Sequence, residues 1–228
     1  MIVLSLDTTT RSGSVAVIDN GRIRFELTGD PARTHGERLP GDLIRALEGA
    51  GAALADVELL AVAAGPGGFT GLRVGIATMQ GLAMGTGRRI VPVSALDALA
   101  RAAQGSEGPI AVWMDAQRGQ VFGALYEADS SRTLLPPSAM SPAETLTAWS
   151  AILARSQPAR FIGDGALRYA RFIREQQTTA HIHQDVPPLA GIIGLMGAEA
   201  PDHAVAPHAV VPIYIRRPDA VLAREKKG

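Results

Sequence analysis

The sequence predicts an α/β protein made of two similar lobes, each of βββαβαβα type. Short apolar runs rich in β-formers alternate with longer runs that carry an apolar stripe at helical spacing. An apolar run that ends on Asp7 recurs as Ile110-Ala111-Val112-Trp113-Met114 ending on Asp115, with a second strand after each. Self-similarity of this kind marks a duplicated unit.

Ile2 to Leu6 reads as a buried strand, and Ser14 to Ile18 as a second. Asp19-Asn20-Gly21 follows, and Asn-Gly between apolar runs signals a hairpin, because both residues tolerate positive φ. Arg22 to Leu27 alternates polar and apolar, which completes an antiparallel meander. Leu39, Leu43 and Leu47, with Ile44 alongside, give the first helix its stripe; Pro40 then belongs in its first turn, and Gly49 and Gly51 end it. Leu59 to Ala64 is a strand, Gly65 to Gly71 a loop, Leu72 to Met84 a helix, Ile90 to Val93 a strand and Ala95 to Ala103 a helix.

The boundary falls at Gly105 to Gly108, which divides the chain into lobes 1–104 and 105–228. In the second lobe the strands are Ile110 to Met114, Gln120 to Glu127 and Arg132 to Leu135. Pro142 to Leu153 is a helix, Arg160 to Ile162 a strand, Ala166 to Arg174 a helix, His181 to His183 a short strand and Leu189 to Ala200 a helix. Pro201 to Pro207 reads as an exposed connection, and the end from Arg224 is charged and expected to fray.

Composition narrows the function. Apolar residues are 46% and charged residues 19%, which is globular; aromatics are only 4%, so small aliphatic residues do the packing. Basic and acidic residues number 22 each, so no overall field draws nucleic acid. Cysteine is absent, which excludes disulfides, thiolate nucleophiles and Cys-based zinc sites. The start has no basic segment before its short apolar run, and no stretch of about 20 apolar residues exists. A cytoplasmic protein without a membrane span is expected.

The loop Gly65-Pro66-Gly67-Gly68-Phe69-Thr70-Gly71 sits between a strand and a helix, where phosphates often bind. No Gly-Lys-Ser/Thr ends it, and Thr70 stands where a dinucleotide fingerprint needs glycine. It reads as a tight turn that sets helix against sheet. Asp7, Gly67 and Gly68 are the candidates for contact with a cofactor, and Asp7 reads first as an acceptor for backbone donors at its strand end.

The helix after the loop carries Gly71, Gly75, Gly81 and Gly85. Each glycine costs roughly 1 kcal/mol relative to alanine, so close approach to another backbone must compensate. The neighbour is either the rest of the same lobe or another chain. For the second case the expected interface is Leu39, Leu43 and Leu47 with Leu72, Gly75, Ile76, Met79 and Leu82. Met79→Arg or Leu82→Glu would then abolish association and leave the monomer folded.

The histidines are His35, His181, His183, His203 and His208; they form neither His-x-x-x-His nor His-Glu-x-x-His. They read as surface residues, with His35 at a helix terminus. No Gly-x-Ser-x-Gly elbow is present. Arg118 and the pair Arg216-Arg217 read as surface charges, and no basic stripe is interleaved with aromatics.

Ala64-Gly65-Pro66-Gly67-Gly68-Phe69-Thr70-Gly71-Leu72-Arg73-Val74-Gly75 resembles the signature of the TsaB (YeaZ) family. So do Leu6-Asp7-Thr8-Thr9, His35-Gly36-Glu37-Arg38-Leu39, Val93-Ser94-Ala95-Leu96, Asp115-Ala116-Gln117-Arg118-Gly119-Gln120-Val121, Gly163-Asp164-Gly165-Ala166, Pro212-Ile213-Tyr214 and Arg217-Pro218-Asp219-Ala220. The Gly-Pro-Gly-x-Phe-Thr-Gly element is shared with the catalytic relative TsaD, which carries a His-x-x-x-His metal pair that this sequence lacks. Leu189 to Pro207 matches nothing in the family pattern.

The resemblance implies a duplicated actin-like fold of the sugar-kinase/Hsp70 (ASKHA, ribonuclease-H-like) type. It implies a subunit without catalytic residues, metal or cofactor of its own. Its partner would be TsaD, bound through the N-terminal lobe, with the ATPase TsaE joining them and ATP or ADP entering only with the complex. The assembly would place threonylcarbamoyl on N6 of adenosine 37 of tRNA, and this chain would touch tRNA only through the complex. Alone, it would homodimerise by a similar surface. The alternatives are a small ATP-binding kinase or ATPase of the same fold, a metallopeptidase-like protein, and a homodimeric binding protein with no tRNA role. Actin-like ATPases and sugar kinases often read Asp-x-Gly-Thr/Ser after the first strand; Thr9 in that glycine's place argues against the first, and the missing metal pair against the second.

Overall fold

The computed structural model describes residues 1–105 and 107–216. The motif at 217–220, Arg217 of the arginine pair and the charged end lie outside the described residues.

The described residues form two units: Met1–Ala102 with Pro187–Pro212, and Ala103–Val186 with residues 213–216. In the first unit, β1 (Ile2–Asp7), β2 (Ser14–Asp19), β3 (Arg22–Thr28), β4 (Leu59–Gly65) and β5 (Ile90–Ser94) form one sheet in the order β3-β2-β1-β4-β5. The meander is antiparallel, and β4 and β5 run parallel to β1. Asn20 and Gly21 have φ of 48° and 74°, the conformation that closes the β2–β3 hairpin.

One face of this sheet carries α1 (His35–Ala50) and α2 (Phe69–Thr86). Leu4 and Leu6, Val15 and Val17, and Leu60 and Val62 point toward them from alternate strand positions. α1 begins earlier than its leucine stripe suggests. Thr34 is its N-cap, and Glu37 Oε2 accepts the Thr34 amide at 2.8 Å, so the helix is already one turn old at Pro40. Gly51, at φ 60°, ends it in the left-handed conformation.

The other face carries α3 (Ala95–Ala102) and α7 (Ala190–Glu199). The expected lobe division at 104/105 therefore differs from the compact units, because α7 packs on β1, β2 and β4 of the first sheet. Its Gly191, Gly194 and Gly197 face the sheet: Cβ atoms there would lie 2.5 Å from Ile23 Cδ1, 2.5 Å from Ile18 Cγ1 and 2.9 Å from Ala61 Cβ. Only glycine allows so close a helix–sheet approach. Leu189 N and Ala190 N donate to Ser14 Oγ, Gly191 N donates to Glu26 Oε1, and Ser5 Oγ donates to Ala190 O at 2.6 Å.

The second unit repeats the plan. β6 (Ile110–Asp115), β7 (Val121–Tyr126), β8 (Thr133–Met140), β9 (Arg160–Ile162) and β10 (His181–Ile182) pair in the order β10-β9-β6-β7-β8, with the same parallel and antiparallel contacts. β8 runs further than the expected Arg132–Leu135, through Pro136 and Pro137, which an edge strand tolerates. Its helices are α4 (Pro142–Leu153), α5 (Asp164–Arg168) and α6 (Ala170–Gln176); the single helix expected over Ala166–Arg174 breaks at Tyr169, where φ and ψ are −104° and 20°. Trp113, Trp149 and Phe161 centre this core, with Trp113 edge-on to Phe161 at 5.4 Å. Among the described residues, no helix is long and apolar enough to cross a membrane.

Candidate functional site

The motif segments of the first unit meet at the end of β1. Asp7 is 2% exposed, and its Oδ1 accepts Thr9 N at 2.9 Å and Thr9 Oγ1 at 2.7 Å. This turns the chain sharply after the strand. The glycine loop closes over that turn. Gly68 N donates to Thr9 O at 3.1 Å. A Cβ on Gly67 would lie 2.6 Å from Thr9 Cβ, and one on Gly71 2.6 Å from Thr8 O. One on Gly75 would lie 2.0 Å from Thr8 Oγ1, which is buried and has no hydrogen-bond partner among the described residues.

The glycines of the loop and of the first turns of α2 therefore admit Thr8 and Thr9. Here the Thr9 hydroxyl is tied to Asp7, the Gly68 amide is engaged by Thr9, and the space beside Gly67 is filled by the threonine. Asp7, Gly67 and Gly68 are brought together, but as partners of one another; these residues do not fit a nucleotide phosphate at this turn.

The start of α1 holds the turn from the other side. Arg38 is 3% exposed; its guanidinium donates to Asp42 Oδ2 at 2.5 Å and to Ser12 O, and Arg45 Nη2 donates to the other Asp42 oxygen at 2.5 Å. A buried cation is tolerable because its carboxylate is one helical turn away. Sequence reasoning passed over this pair. The signal was present: positions 38 and 42 fall beside Leu39 and Leu43 on the buried stripe, where a charge needs a partner. His35 lies against Thr10, Gly13 and Gly71. Burial, and then Arg38, hold its pKa below the ordinary histidine value.

The second unit has a related turn. Asp115 accepts Gln117 N at 3.0 Å, Gln117 Nε2 at 2.9 Å and Arg168 Nη1 at 2.7 Å. Asp164 accepts Asp115 N and Gly165 N, both at 2.9 Å, and burial raises its pKa. Gln117, Arg118 and Gly119 all have positive φ, and Arg118 is exposed. Arg216 Nη1 donates to Gln120 Oε1 at 2.9 Å. Among the described residues, no three His, Asp or Glu side chains are placed to hold a metal ion.

The residues expected at an interface lie inside the chain. Leu39, Leu43, Leu47, Leu72, Gly75, Ile76 and Met79 are buried in the first unit's core, and Leu82 packs against it half-buried. Met79 is 0% exposed, so arginine there would break the fold and not merely a contact. The same two helices turn other residues outward: Ile44 is 56% exposed, Phe69 43% and Met84 76%, and Ala77, Gly81 and Gly85 of α2 are exposed too.

The model described as "TsaD: tRNA N6-adenosine threonylcarbamoyltransferase" matches residues 30–177. The tRNA threonylcarbamoyladenosine biosynthesis protein TsaB of Escherichia coli K12 is 36% identical over 135 residues, which are 58% of this chain and 57% of that protein. The Haemophilus influenzae protein of the same name is 27% identical over 95% of this chain and 94% of its own length. The crystal structure titled "YeaZ from Pseudomonas aeruginosa" superposes with a TM-score of 0.76 and 29% identity over 93% of this chain and 99% of that one. An ADPNP-bound activator of the 2-hydroxyisocaproyl-CoA dehydratase from Clostridium difficile shares the fold alone, at 12% identity and a TM-score of 0.52, over 89% of this chain and 97% of that one.

The two meander-based sheets define a duplicated actin-like protein in which Thr8 and Thr9, after the first strand, fill the space beside the glycine loop. Within that class the chain belongs to the TsaB (YeaZ) family of tRNA threonylcarbamoyladenosine biosynthesis proteins.

Proposed function

We propose that this chain is a non-catalytic subunit required for threonylcarbamoylation of N6 of adenosine 37 in tRNA, and that it works by binding and stabilising a TsaD-type catalytic subunit. The observation that carries the reading is the outward face of α2. Gly81 and Gly85 are exposed, and among the described residues nothing beyond their own helix comes within 4 Å of where a Cβ would stand. Each costs roughly 1 kcal/mol against alanine, and no contact among the described residues explains it. A helix from another chain, packed closely on these glycines and on Met84 and Ile44, does. The filled turn at Thr8 and Thr9 supports the absence of nucleotide chemistry in this subunit. ATP or ADP enters with a TsaE-type ATPase, tRNA is contacted only through the complex, and an isolated chain uses the same face to pair with a second copy. The cytoplasm, where tRNA is modified, is the expected location.

The test is transfer of threonylcarbamoyl to tRNA by the cognate TsaD-type and TsaE-type proteins, with and without this chain. Modification should require all of them and fail with this chain alone. Gly81→Arg and Met84→Glu, both on the exposed face, should leave the monomer folded, with Gly81→Arg melting no lower than the parent, and weaken association with the catalytic subunit by at least about tenfold, as loss of a packed interface centre does. Normal association of both variants would remove the docking face. Transfer that proceeds equally without this chain would remove the function.

A further inference from the structure

The ring of His35 lies between groups whose hydrogen-bonding character is fixed. Thr10 O, 3.1 Å from Nε2, is a carbonyl and only accepts. Arg38 Nη2, 2.8 Å from Nδ1, belongs to a guanidinium and only donates. The neutral ring with its proton on Nε2 satisfies both: Nε2–H donates to Thr10 O, and Nδ1 accepts from Arg38. A proton on Nδ1 would point at an N–H of a cation.

Arg38 is not free to retreat. The same guanidinium donates to Ser12 O and Asp42 Oδ2, and the Gly29 backbone lies so close that a Cβ there would fall 1.5 Å from Nη1. The ring is half-buried, so it is the part that can move. The charged groups around it are Arg38 and Asp42 on α1, with Asp42 shared by Arg45. The β1–β2 turn presents the Thr10 carbonyl and the Gly13 backbone, and α2 presents Gly71. The Thr10 carbonyl and Asp42 favour the imidazolium, and burial and Arg38 oppose it more strongly.

We propose that His35 is a proton-sensitive latch on the β1–β2 turn: when the ring gains a proton at Nδ1 it loses its bond from Arg38, swings outward and releases the Thr10 carbonyl, while Arg38 keeps Ser12 O. Release also loosens the bond from Gly29 N to Gly13 O, 3.2 Å long, which ties the turn to the end of β3. The latch is a property of the single chain and stands apart from what the chain binds.

Nuclear magnetic resonance on the full, 15N-labelled chain, taken from about pH 7.5 to about pH 5 across the histidine range, tests it. The His35 ring should be the Nε2–H tautomer at the upper pH. The amides of Ser12, Gly13 and Gly29 should shift with the ring's own midpoint. Exchange of the Gly29 amide should quicken by about tenfold beyond the intrinsic effect of pH, as a local opening does. His35→Gln keeps a donor and an acceptor without the titrating proton; its turn should stay closed and lose the pH response. An Nδ1–H tautomer would overturn the latch. So would a ring that titrates while the turn stays still, turn amides that shift without the ring, or the same pH response in His35→Gln.

Discussion

Gly75 and Gly81 stand six residues apart on one helix, about 1.7 turns, so they point to different faces, and the chain treats them oppositely. Gly75 faces Thr8, and a Cβ there would sit 2.0 Å from a buried hydroxyl on a side chain with nowhere to go. Gly81 faces outward, with open space around it. Alanine raises helix propensity by about 1 kcal/mol at either site. At Gly75 that gain is set against overpacking of about 1–3 kcal/mol, so Gly75→Ala should lower the urea midpoint and Gly81→Ala should raise it. Equal shifts in the same direction would mean that Thr8 does not occupy the groove of α2. The count of glycines was legible in the sequence; which of them face the chain itself was not. That depends on where the β1–β2 turn comes to rest, and Asp7 and Arg38 decide it from opposite sides.

At the scale of the element, strands were read more securely than helix ends. The meander follows from alternation and from Asn20-Gly21, which act locally. α1 was read from its leucines, so its first turn, set by Thr34 and Glu37, was missed and Pro40 was placed too early. The buried Arg38–Asp42 pair lies in the same stripe, where a charge needs a partner. α7 is expected as a helix of the second lobe but packs on the first sheet, since Gly191, Gly194 and Gly197 have meaning only against a particular sheet. Its N-terminus supplies a prediction. Glu26 Oε1 accepts Gly191 N at 2.7 Å, while burial, the largest cause, raises the Glu26 pKa, with Asp7 adding to it. A raised folded value means the carboxyl contributes most below the ordinary carboxylate range, and that contribution is lost as pH rises through the folded value. Glu26→Gln keeps the accepting oxygen and removes the titration. Its stability relative to the parent should therefore climb from about pH 4 to about pH 8, followed as the difference in urea midpoint. A difference that stays flat with pH would show that the buried charge is not what Glu26 contributes.

At the scale of the molecule, the compact unit is not a continuous stretch of chain. The duplication invites a cut at 104/105, and such a cut would leave the first sheet with α1, α2 and α3 but without α7 or the segment that follows it. The missing pieces matter physically. Ser5, 0% exposed, would lose the Ala190 carbonyl that its hydroxyl meets at 2.6 Å. Ile18 and Ala61, both 0% exposed, would face water where Gly194 and Gly197 now press on them. Ile90 would lose the bridge in which it and Val205 exchange bonds of 3.1 and 2.8 Å, and Gln80 would lose its carbonyl acceptors at Pro207 and Val210. An open apolar sheet face of this size is rarely carried by a stable monomer. A chain of residues 1–104 should therefore give no cooperative urea transition and should aggregate, although it holds one full copy of the repeat. Residues 187–212 joined to its end by a flexible linker should restore a cooperative transition, because the linker replaces only the connection that the second unit normally makes. If residues 1–104 alone unfold cooperatively with the slope expected for their buried area, α7 is an ornament on the first unit and the repeat is the folding unit after all.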